Sequence, residues 1–224
     1  DNEGPRVNVD TILRAHFVKP RHLEKILEIG CAHGAISLIL AKRGYNVTGL
    51  DIQPHLITMA RENAMYNGLS DRLSFIAGDL KDYKKLWAAQ SFDRIVVNPP
   101  YDEPENSKRS PSDAIATAMQ GMDCTLEDVI RASKYLLKNK GHLDLVIRTN
   151  RAGELFTLLD KYNVAPKIMK PVYPKPGSLS SVILVDAVRA SSHGLKIEAP
   201  LFVLGQDGEE TDELLEAYRI EASE

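Results

Sequence analysis

The sequence is poor in cysteine and has no long apolar run. Cys31 and Cys124 are the only cysteines among 224 residues, and they stand in unrelated contexts. A disulfide between them is therefore not expected, and a reducing, cytoplasmic location is the simplest prediction. No apolar stretch reaches membrane-spanning length and no signal peptide opens the chain, so we expect no membrane partner. Because the chain starts at Asp1 rather than Met, we expect that some sequence precedes it.

Metal-ligand patterns and strong positive charge are also missing. The six histidines are scattered, and no cysteine or histidine cluster has metal-ligand spacing, so no metal is expected. The formal net charge of −3 argues on its own against strong nonspecific binding to nucleic acid. Residues 207–224 hold eight acidic residues against one arginine, however, which leaves about +4 for residues 1–206. We expect a solvated acidic helix at the end and a local basic patch on the body.

Strand-like and helix-like segments alternate along a chain that is 43% hydrophobic and 26% charged. The predicted strands are Lys25–Gly30, Asn46–Asp51, Leu73–Ala77, Asp93–Asn98 and Leu143–Ile147. Helices are predicted at Gly34–Arg43, from Pro54 to Asn67, for one or two turns after Asp79, from a capping box at Thr125 to Leu137, and at Ala152–Lys161. This alternation predicts an α/β fold with a doubly wound, mostly parallel, Rossmann-like sheet.

Two features depart from the alternation. Residues 101–124 form a long polar stretch, which is typical of a functional lid or of disorder. Lys167–Val172 and Ser181–Val188 are strand-like with no room for a helix between them, which predicts an antiparallel C-terminal hairpin. We expect a single domain over residues 1–224, made of an N-terminal segment (1–20), a core (21–188) and a C-terminal extension (189–224).

Polar groups mark the carboxyl ends of four successive predicted strands. They are Glu28 to Gly30, Asp51, Asp79 and Asn98. Ligands of doubly wound sheets bind outside these ends, near the point where the strand order reverses. We therefore expect the four positions to line one crevice.

The segment from Glu28 to Gly34 joins the first strand to the first helix. Gly30 allows a tight turn, and Gly34 allows close approach of a ligand or of the neighbouring strand. A dinucleotide fingerprint would require glycine in place of Ala32, so a dehydrogenase is disfavoured. Asp51 follows Gly30 by 21 residues, where a carboxylate can accept hydrogen bonds from ribose hydroxyls. A merely close-packed turn is the alternative interpretation.

Asp79 allows two interpretations. Its carboxylate could accept a hydrogen bond from the amino group of a cofactor adenine, or it could cap the helix that follows. In the first case Ile52 and Leu80 would supply apolar walls for the adenine.

The tetrapeptide Asn98-Pro99-Pro100-Tyr101 closes the fourth predicted strand. Each residue before a proline is held extended, and neither proline has an N–H group. The Asn98 side-chain oxygen and the Pro99 carbonyl are thus exposed acceptors that could hold both hydrogens of a planar amine, with the Tyr101 ring stacked on it. The alternative is a proline-rich loop that only ends a strand.

The segments ILEIGCAHG, VTGLD, AGD and NPPY, in this order, resemble class I S-adenosylmethionine-dependent methyltransferases. NPPY after the fourth strand is typical of the branch that methylates adenine N6, guanine N2 or the glutamine amide. Residues 6–20, 125–148, 166–188 and 194–218 resemble in particular the bacterial tRNA1(Val) adenine-N6 methyltransferases. Where this chain has Ala32, that family usually has glycine.

The resemblance implies S-adenosylmethionine as the cofactor, tRNA as the partner and a cytoplasmic enzyme of RNA methylation. The implied catalytic residues are Asn98, Pro99, Pro100 and Tyr101. The implied cofactor contacts are Asp10, Glu28, Gly30, Cys31, Gly34, Asp51, Ile52, Asp79, Leu80 and Asn98.

Five basic residues are candidates for contacts to RNA phosphates, although each could also be a solvated surface charge. They are Lys108, Arg109, Lys167, Lys170 and Lys175. Three other functions stay open: a methyltransferase acting on a protein glutamine amide, one acting on guanine N2 of rRNA, and a noncatalytic module that only binds the cofactor.

Overall fold

The computed structural model describes residues 9–99 and 124–222. Within these ranges, one mixed sheet is flanked by helices on both faces. Its strands are β1 (Lys25–Ile29), β2 (Asn46–Asp51), β3 (Leu73–Ala77), β4 (Phe92–Val97), β5 (Leu137–Arg148), β6 (Val164–Tyr173), β7 (Val182–Arg189), β8 (Lys196–Ile197) and β9 (Leu201–Phe202). The helices are α1 (Val9–Phe17), α2 (Ala35–Lys42), α3 (Pro54–Tyr66), α4 (Tyr83–Leu86), α5 (Leu126–Leu136), α6 (Ala152–Lys161) and α7 (Asp212–Ala222), with 3₁₀ turns at Leu80–Asp82 and Thr149–Arg151.

The strand order is β3-β2-β1-β4-β5-β7-β6-β8, and β9 also pairs with β6. The strands from β3 to β5 are parallel, whereas β7 runs antiparallel to both of its neighbours, β5 and β6. The link between β6 and β7 is too short for a crossover helix, so the two strands can only form a hairpin. The predicted doubly wound sheet with an antiparallel C-terminal hairpin is confirmed.

The core lies on both faces of the sheet. The face under α5 and α6 buries one apolar cluster, and the opposite face buries two, one under α2 and α3 and one near α1 and α7. The predicted acidic terminal helix exists as α7, but it is not simply solvated. Leu214 and Ala217 are fully buried, and Leu214 belongs to the third cluster. This helix therefore covers one face of the sheet together with α1. The sequence analysis did not predict α1.

Several local signals act as predicted. Thr125 and Asp128 form a reciprocal capping box at the start of α5, because each side chain accepts a hydrogen bond from the backbone N–H of the other. Pro54 occupies the first turn of α3, where its missing N–H group leaves no hydrogen bond unmade.

Candidate active site

The strand ends predicted to form a crevice do meet at one edge of the sheet. Strands β3, β2, β1 and β4 are adjacent and parallel, with Ile29 paired to both Leu50 and Val97 and with Asp51 paired to Ala77. The loops that follow these four strands therefore begin side by side. We refer to this edge as the crevice.

The loop after β1 is held tightly against β2. The backbone N–H groups of Gly30 and Cys31 both donate to the Leu50 carbonyl, at 2.8 and 3.1 Å. Gly34 has a φ of +85°, and a Cβ atom there would lie 3.0 Å from the Phe75 ring and 3.2 Å from the Ala60 side chain. The structure therefore explains Gly34 by the close approach of the Phe75 side chain on β3 and of Ala60 on α3.

Ala32 adopts a backbone conformation that favours glycine. Its φ is +47°, in the left-handed region. Its N–H donates to Asp51 Oδ2 at 2.9 Å, and the N–H of Gln53 donates to Asp51 Oδ1 at 3.0 Å. The buried Asp51 carboxylate thus joins the glycine loop to the end of β2 and keeps lone pairs for further donors. The methyl group of Ala32 does not prevent this arrangement.

Glu28 is buried beneath the same loop. Its Oε2 accepts hydrogen bonds from the Ser37 backbone N–H, at 2.9 Å, and from the Ser37 hydroxyl. Burial raises the pKa of Glu28 to about 7, while the hydrogen bond from Ser37 opposes the rise. Because Ser37 lies in the first turn of α2, Glu28 anchors the start of that helix. The predicted cofactor contact of Glu28 stays a prediction.

Cys31 and Leu80 are also buried, at 3% and 1% exposure. Burial raises the pKa of the Cys31 thiol, so the thiol stays protonated and unreactive. Leu80 packs in the core on the α5 face of the sheet, and Ile52, which directly follows β2, is half-buried. Their predicted contacts with the cofactor stay predictions.

Asp79 has the capping role that the sequence left open. Its Oδ1 accepts a hydrogen bond from the Lys81 N–H at 2.8 Å and so caps the start of the 3₁₀ turn of residues 80–82. The side chain is only half-buried, so its second oxygen can still meet a ligand.

Asn98 holds the most unusual polar atom of the crevice. Its Oδ1 is fully buried, and among the described residues it has no hydrogen-bond partner. An unpaired buried acceptor costs about 1–3 kcal/mol, so such atoms are rare in folded proteins unless a ligand completes them. Pro99 is buried next to it, while Pro100 and Tyr101 lie outside the described residues.

The predicted phosphate contacts do not share one surface. Lys175 is exposed in the turn between β6 and β7, at the same edge as the crevice. Lys170 instead lies on the face of the sheet next to α7, where its ammonium pairs with Glu213 at 2.5 Å. Lys167 donates to the Ser192 carbonyl. Lys108 and Arg109 lie outside the described residues, and Asp10 lies in the first turn of α1.

Sequence reasoning missed Asn63. Its Nδ2 donates to the His33 carbonyl at 3.0 Å and thereby ties α3 to the glycine loop. Burial lowers the pKa of His33 itself, which keeps this ring neutral at physiological pH. Asparagine is a weak helix former, so its presence inside a helix is the one feature of the sequence that could have indicated a special role for Asn63.

The described residues show neither a metal centre nor a membrane segment. No three His, Cys, Asp or Glu side chains in residues 9–99 and 124–222 are grouped to hold a metal ion. In the same ranges we find no helix with the length and apolar character needed to cross a bilayer.

A sheet of this strand order, with a glycine loop and carboxylates at the carboxyl ends of its first strands, defines a Rossmann-like, nucleoside-binding fold. Comparison with protein families then gives the particular class. The methyltransferase domain family matches residues 21–164, and the chain belongs to this family.

Two curated relatives and one solved structure illustrate the similarity. A tRNA1(Val) (adenine(37)-N6)-methyltransferase of Aeromonas salmonicida is 27% identical over 83% of this chain and 77% of its own length. A release factor glutamine methyltransferase of Fusobacterium nucleatum is 30% identical over 84% of this chain and 55% of its own length. A predicted O-methyltransferase of Agrobacterium tumefaciens superposes with a TM-score of 0.77 and 18% identity, covering 94% of this chain and 96% of the other.

The chain is therefore an S-adenosylmethionine-dependent methyltransferase. The crevice is compatible with this cofactor, since the Asp51 carboxylate at the end of β2 keeps lone pairs that ribose hydroxyls could meet.

Proposed function

We propose that this enzyme methylates an exocyclic amine of a nucleic-acid base, adenine N6 in tRNA. The observation that carries the proposal is the buried, unpartnered Oδ1 of Asn98 at the end of β4. The curated relative from Aeromonas salmonicida, which is named for this reaction, supports the choice of base and of RNA.

Two acceptors at the strand end would orient the amine. The Asn98 Oδ1 and the Pro99 carbonyl can each accept one amine hydrogen, which directs the nitrogen lone pair away from both. The lone pair of a base amine is delocalised into the ring, so orientation and a pyramidal nitrogen provide most of the acceleration. When bound, the cofactor supplies an activated methyl group on a sulfonium centre.

The same two acceptors also stabilise the positive charge that forms on the amine nitrogen during methyl transfer. Positive charge builds on the nitrogen during transfer, and neutral amide and carbonyl oxygens stabilise it without needing to take a proton first. The amine becomes acidic only after it is methylated, and its proton can then pass to solvent. Asn98 is suited to this task because its oxygen is not already engaged by another described residue.

A target base in folded RNA must leave its stack before it can reach Asn98. Extraction is least costly for bases in loops, and an aromatic side chain such as Tyr101 would stack on the extracted base. Lys175 is exposed at the same edge of the sheet, and in this proposal it contacts a neighbouring phosphate.

A protein glutamine amide is the second candidate substrate. The relative from Fusobacterium nucleatum is named for that reaction, and the same two acceptors can hold the amide nitrogen. One local feature also favours it. The turn that carries Asp207, Glu209 and Glu210 follows Leu204, whose N–H donates to the Pro174 carbonyl, so acidic groups lie near Lys175. Such groups repel RNA phosphates at that corner.

The deciding experiment is transfer of a labelled methyl group to total tRNA, followed by digestion and identification of the modified nucleoside. We expect label in N6-methyladenosine. Label in N2-methylguanosine would assign the guanine reaction, and label found only in added protein would assign the glutamine reaction. Either result would overturn the adenine proposal.

A further inference from the structure

A second concave surface lies at the opposite edge of the sheet from the crevice. It is a groove of about 500 Å³ at the amino ends of β1, β2 and β3. Its walls include Lys25, Thr48, Arg72, Ser74 and Trp87. None of these residues takes part in the proposed chemistry, so the groove needs its own explanation.

The groove exists because the connection between β3 and β4 is short. It contains one 3₁₀ turn and the four-residue helix α4, and among the described residues no longer helix of this connection covers the amino end of the sheet edge. Polar strand residues face the gap at Thr48 and Ser74, which pair across β2 and β3, and the apolar Phe92 at the start of β4 also lines the groove. Their neighbours Val47 and Phe75 point to the other face and are buried in its core. This alternation fits a face that meets water or a polar ligand.

Positive charge frames this polar floor. Lys25 and Arg72 are both exposed. The Nη1 of Arg72 donates to the Gly44 carbonyl at 2.8 Å, which fixes the guanidinium at the rim and leaves further N–H groups for an anion. Asp93 near Lys25 already pairs with Lys138 at 2.7 Å, and Asp71 is the acidic residue that lines the groove. Two cations against one unpaired acid favour an anionic ligand.

Trp87 gives the groove an aromatic wall. It is the only tryptophan in the sequence and is half-buried. Its ring meets Phe92 edge-on, with centroids 5.4 Å apart and an angle of 83°. This contact fixes the indole while part of it stays accessible. A fixed aromatic surface beside cations is the combination that binds single-stranded nucleic acid.

We propose that the groove binds an unpaired stretch of RNA, with a base against Trp87 and phosphates on Lys25 and Arg72. The proposal rests on RNA being the substrate and adds a second contact far from the reacting base. Strands of five and six residues separate the groove from the crevice, a distance of about 17–20 Å. One RNA that passes along the β3 edge can reach both.

Tryptophan fluorescence of the full chain tests this directly, because every signal comes from Trp87. Titration with a short single-stranded RNA should quench the emission. In the double variant Lys25→Ala/Arg72→Ala, we expect binding to weaken about tenfold and the slope of log affinity against log salt to fall by about 1.4, the effect of two lost phosphate contacts. The matched control, Lys134→Ala/Lys196→Ala, removes two exposed lysines elsewhere and should bind as the parent does.

A third variant separates stacking from charge. Trp87→Ala should weaken binding of a labelled RNA about fivefold or more, while Trp87→Phe should retain most of the affinity. Binding of S-adenosylhomocysteine should be the same in all variants, which shows that each is folded. Unquenched emission, or equal weakening by the control pair, would overturn the proposal.

The outcomes are separable from those of the proposed function. If tRNA is methylated at adenine N6 but RNA does not quench Trp87, the groove proposal is wrong and the function stands. If RNA quenches Trp87 in a groove-dependent way but no tRNA is methylated, the groove stands and the methylation proposal is wrong.

Discussion

At the scale of single residues, the acceptor of Asn98 is kept unpaired at some cost to the free protein. Replacing it by alanine should lower the single-turnover rate of methyl transfer about 10²-fold or more, because one stabilising contact to the reacting group is lost. The free energy of unfolding should be unchanged or higher, since a buried unpaired oxygen is removed.

Two measurements bear on this prediction: urea denaturation of the free protein and rapid-quench transfer to tRNA. The exposed Asn139 lies at the other edge of the sheet, where its Oδ1 accepts a hydrogen bond from Arg189 at 2.8 Å, so Asn139→Ala is the matched control for the transfer rate. A lower stability of Asn98→Ala, together with lost binding of S-adenosylhomocysteine, would show that Asn98 is mainly structural.

Two positions of the glycine loop should respond to substitution with opposite signs. Ala32→Gly should raise the free energy of unfolding by up to about 1 kcal/mol. The substitution removes the cost of a left-handed alanine, about 1–2 kcal/mol, from the folded state, and the greater entropy of glycine in the unfolded chain offsets only part of this gain. Gly34→Ala should lower it by about 1–3 kcal/mol, since the new methyl would meet the Phe75 ring at 3.0 Å. Chemical denaturation measures both, and shifts of the same sign would contradict the assignment.

At the scale of elements, the buried Glu28 makes the junction of β1 and α2 sensitive to pH. Its pKa is about 7 in the folded chain against 4.5 for an ordinary glutamate, so the folded state holds the proton more tightly. The contribution of the protonated Glu28 to the free energy of unfolding is fully present below pH 4.5 and is lost as the pH rises through about 7. Relative to Glu28→Gln, the parent should lose on the order of 3 kcal/mol over this interval.

Urea denaturation at a series of pH values checks the prediction, with Glu62→Gln as the control because Glu62 is exposed on α3. The comparison with Glu28→Gln cancels other titrating groups that both proteins share. Parallel stability curves for the parent and Glu28→Gln would mean that the carboxylate is hydrated.

Elements with strong local signals could be predicted from the sequence. Helix α6 has the predicted bounds, Ala152–Lys161, and the capping box at Thr125 starts α5. Strand β5 is longer than predicted, because its polar start at residues 138–141 has no apolar pattern. Pairing with β4 at Leu137 and again from His142 brackets this start. Helix α1 was not predicted, because its apolar side chains are buried only by packing against α7 and the sheet, which are distant in the sequence.

The positions of the site followed from the strand ends, but the states of its atoms did not. Periodicity places Asp51 and Asn98 at one edge. It does not report that Asp51 is bonded to the Ala32 N–H, that Ala32 is left-handed, or that the Asn98 oxygen is unpaired. These facts depend on how neighbouring loops pack, which a single sequence does not encode locally.

At the scale of the whole molecule, one buried arginine connects the N-terminal segment to the centre of the sheet. Arg94 on β4 donates to Asp144 on β5 at 2.5 Å, to Glu24 before β1 at 2.8 Å and to the Lys19 carbonyl at 3.3 Å. Burial raises the pKa of Asp144, although Arg94 opposes the rise. Arg94 therefore offsets part of the cost of burying this carboxylate.

Removing Arg94 alone should be far worse than removing the pair. Arg94→Met leaves Asp144 buried without its partner, and we expect a loss of about 3–5 kcal/mol in the free energy of unfolding at neutral pH. The double variant Arg94→Met/Asp144→Leu should recover much of this loss, because two apolar side chains fill the space and no buried aspartate is left unpaired. Urea denaturation of the parent, both single variants and the double variant gives the coupling energy. Additive losses in the double variant would show that Arg94 stabilises the fold through its packing and its contact with the N-terminal segment, and not through the charge of Asp144.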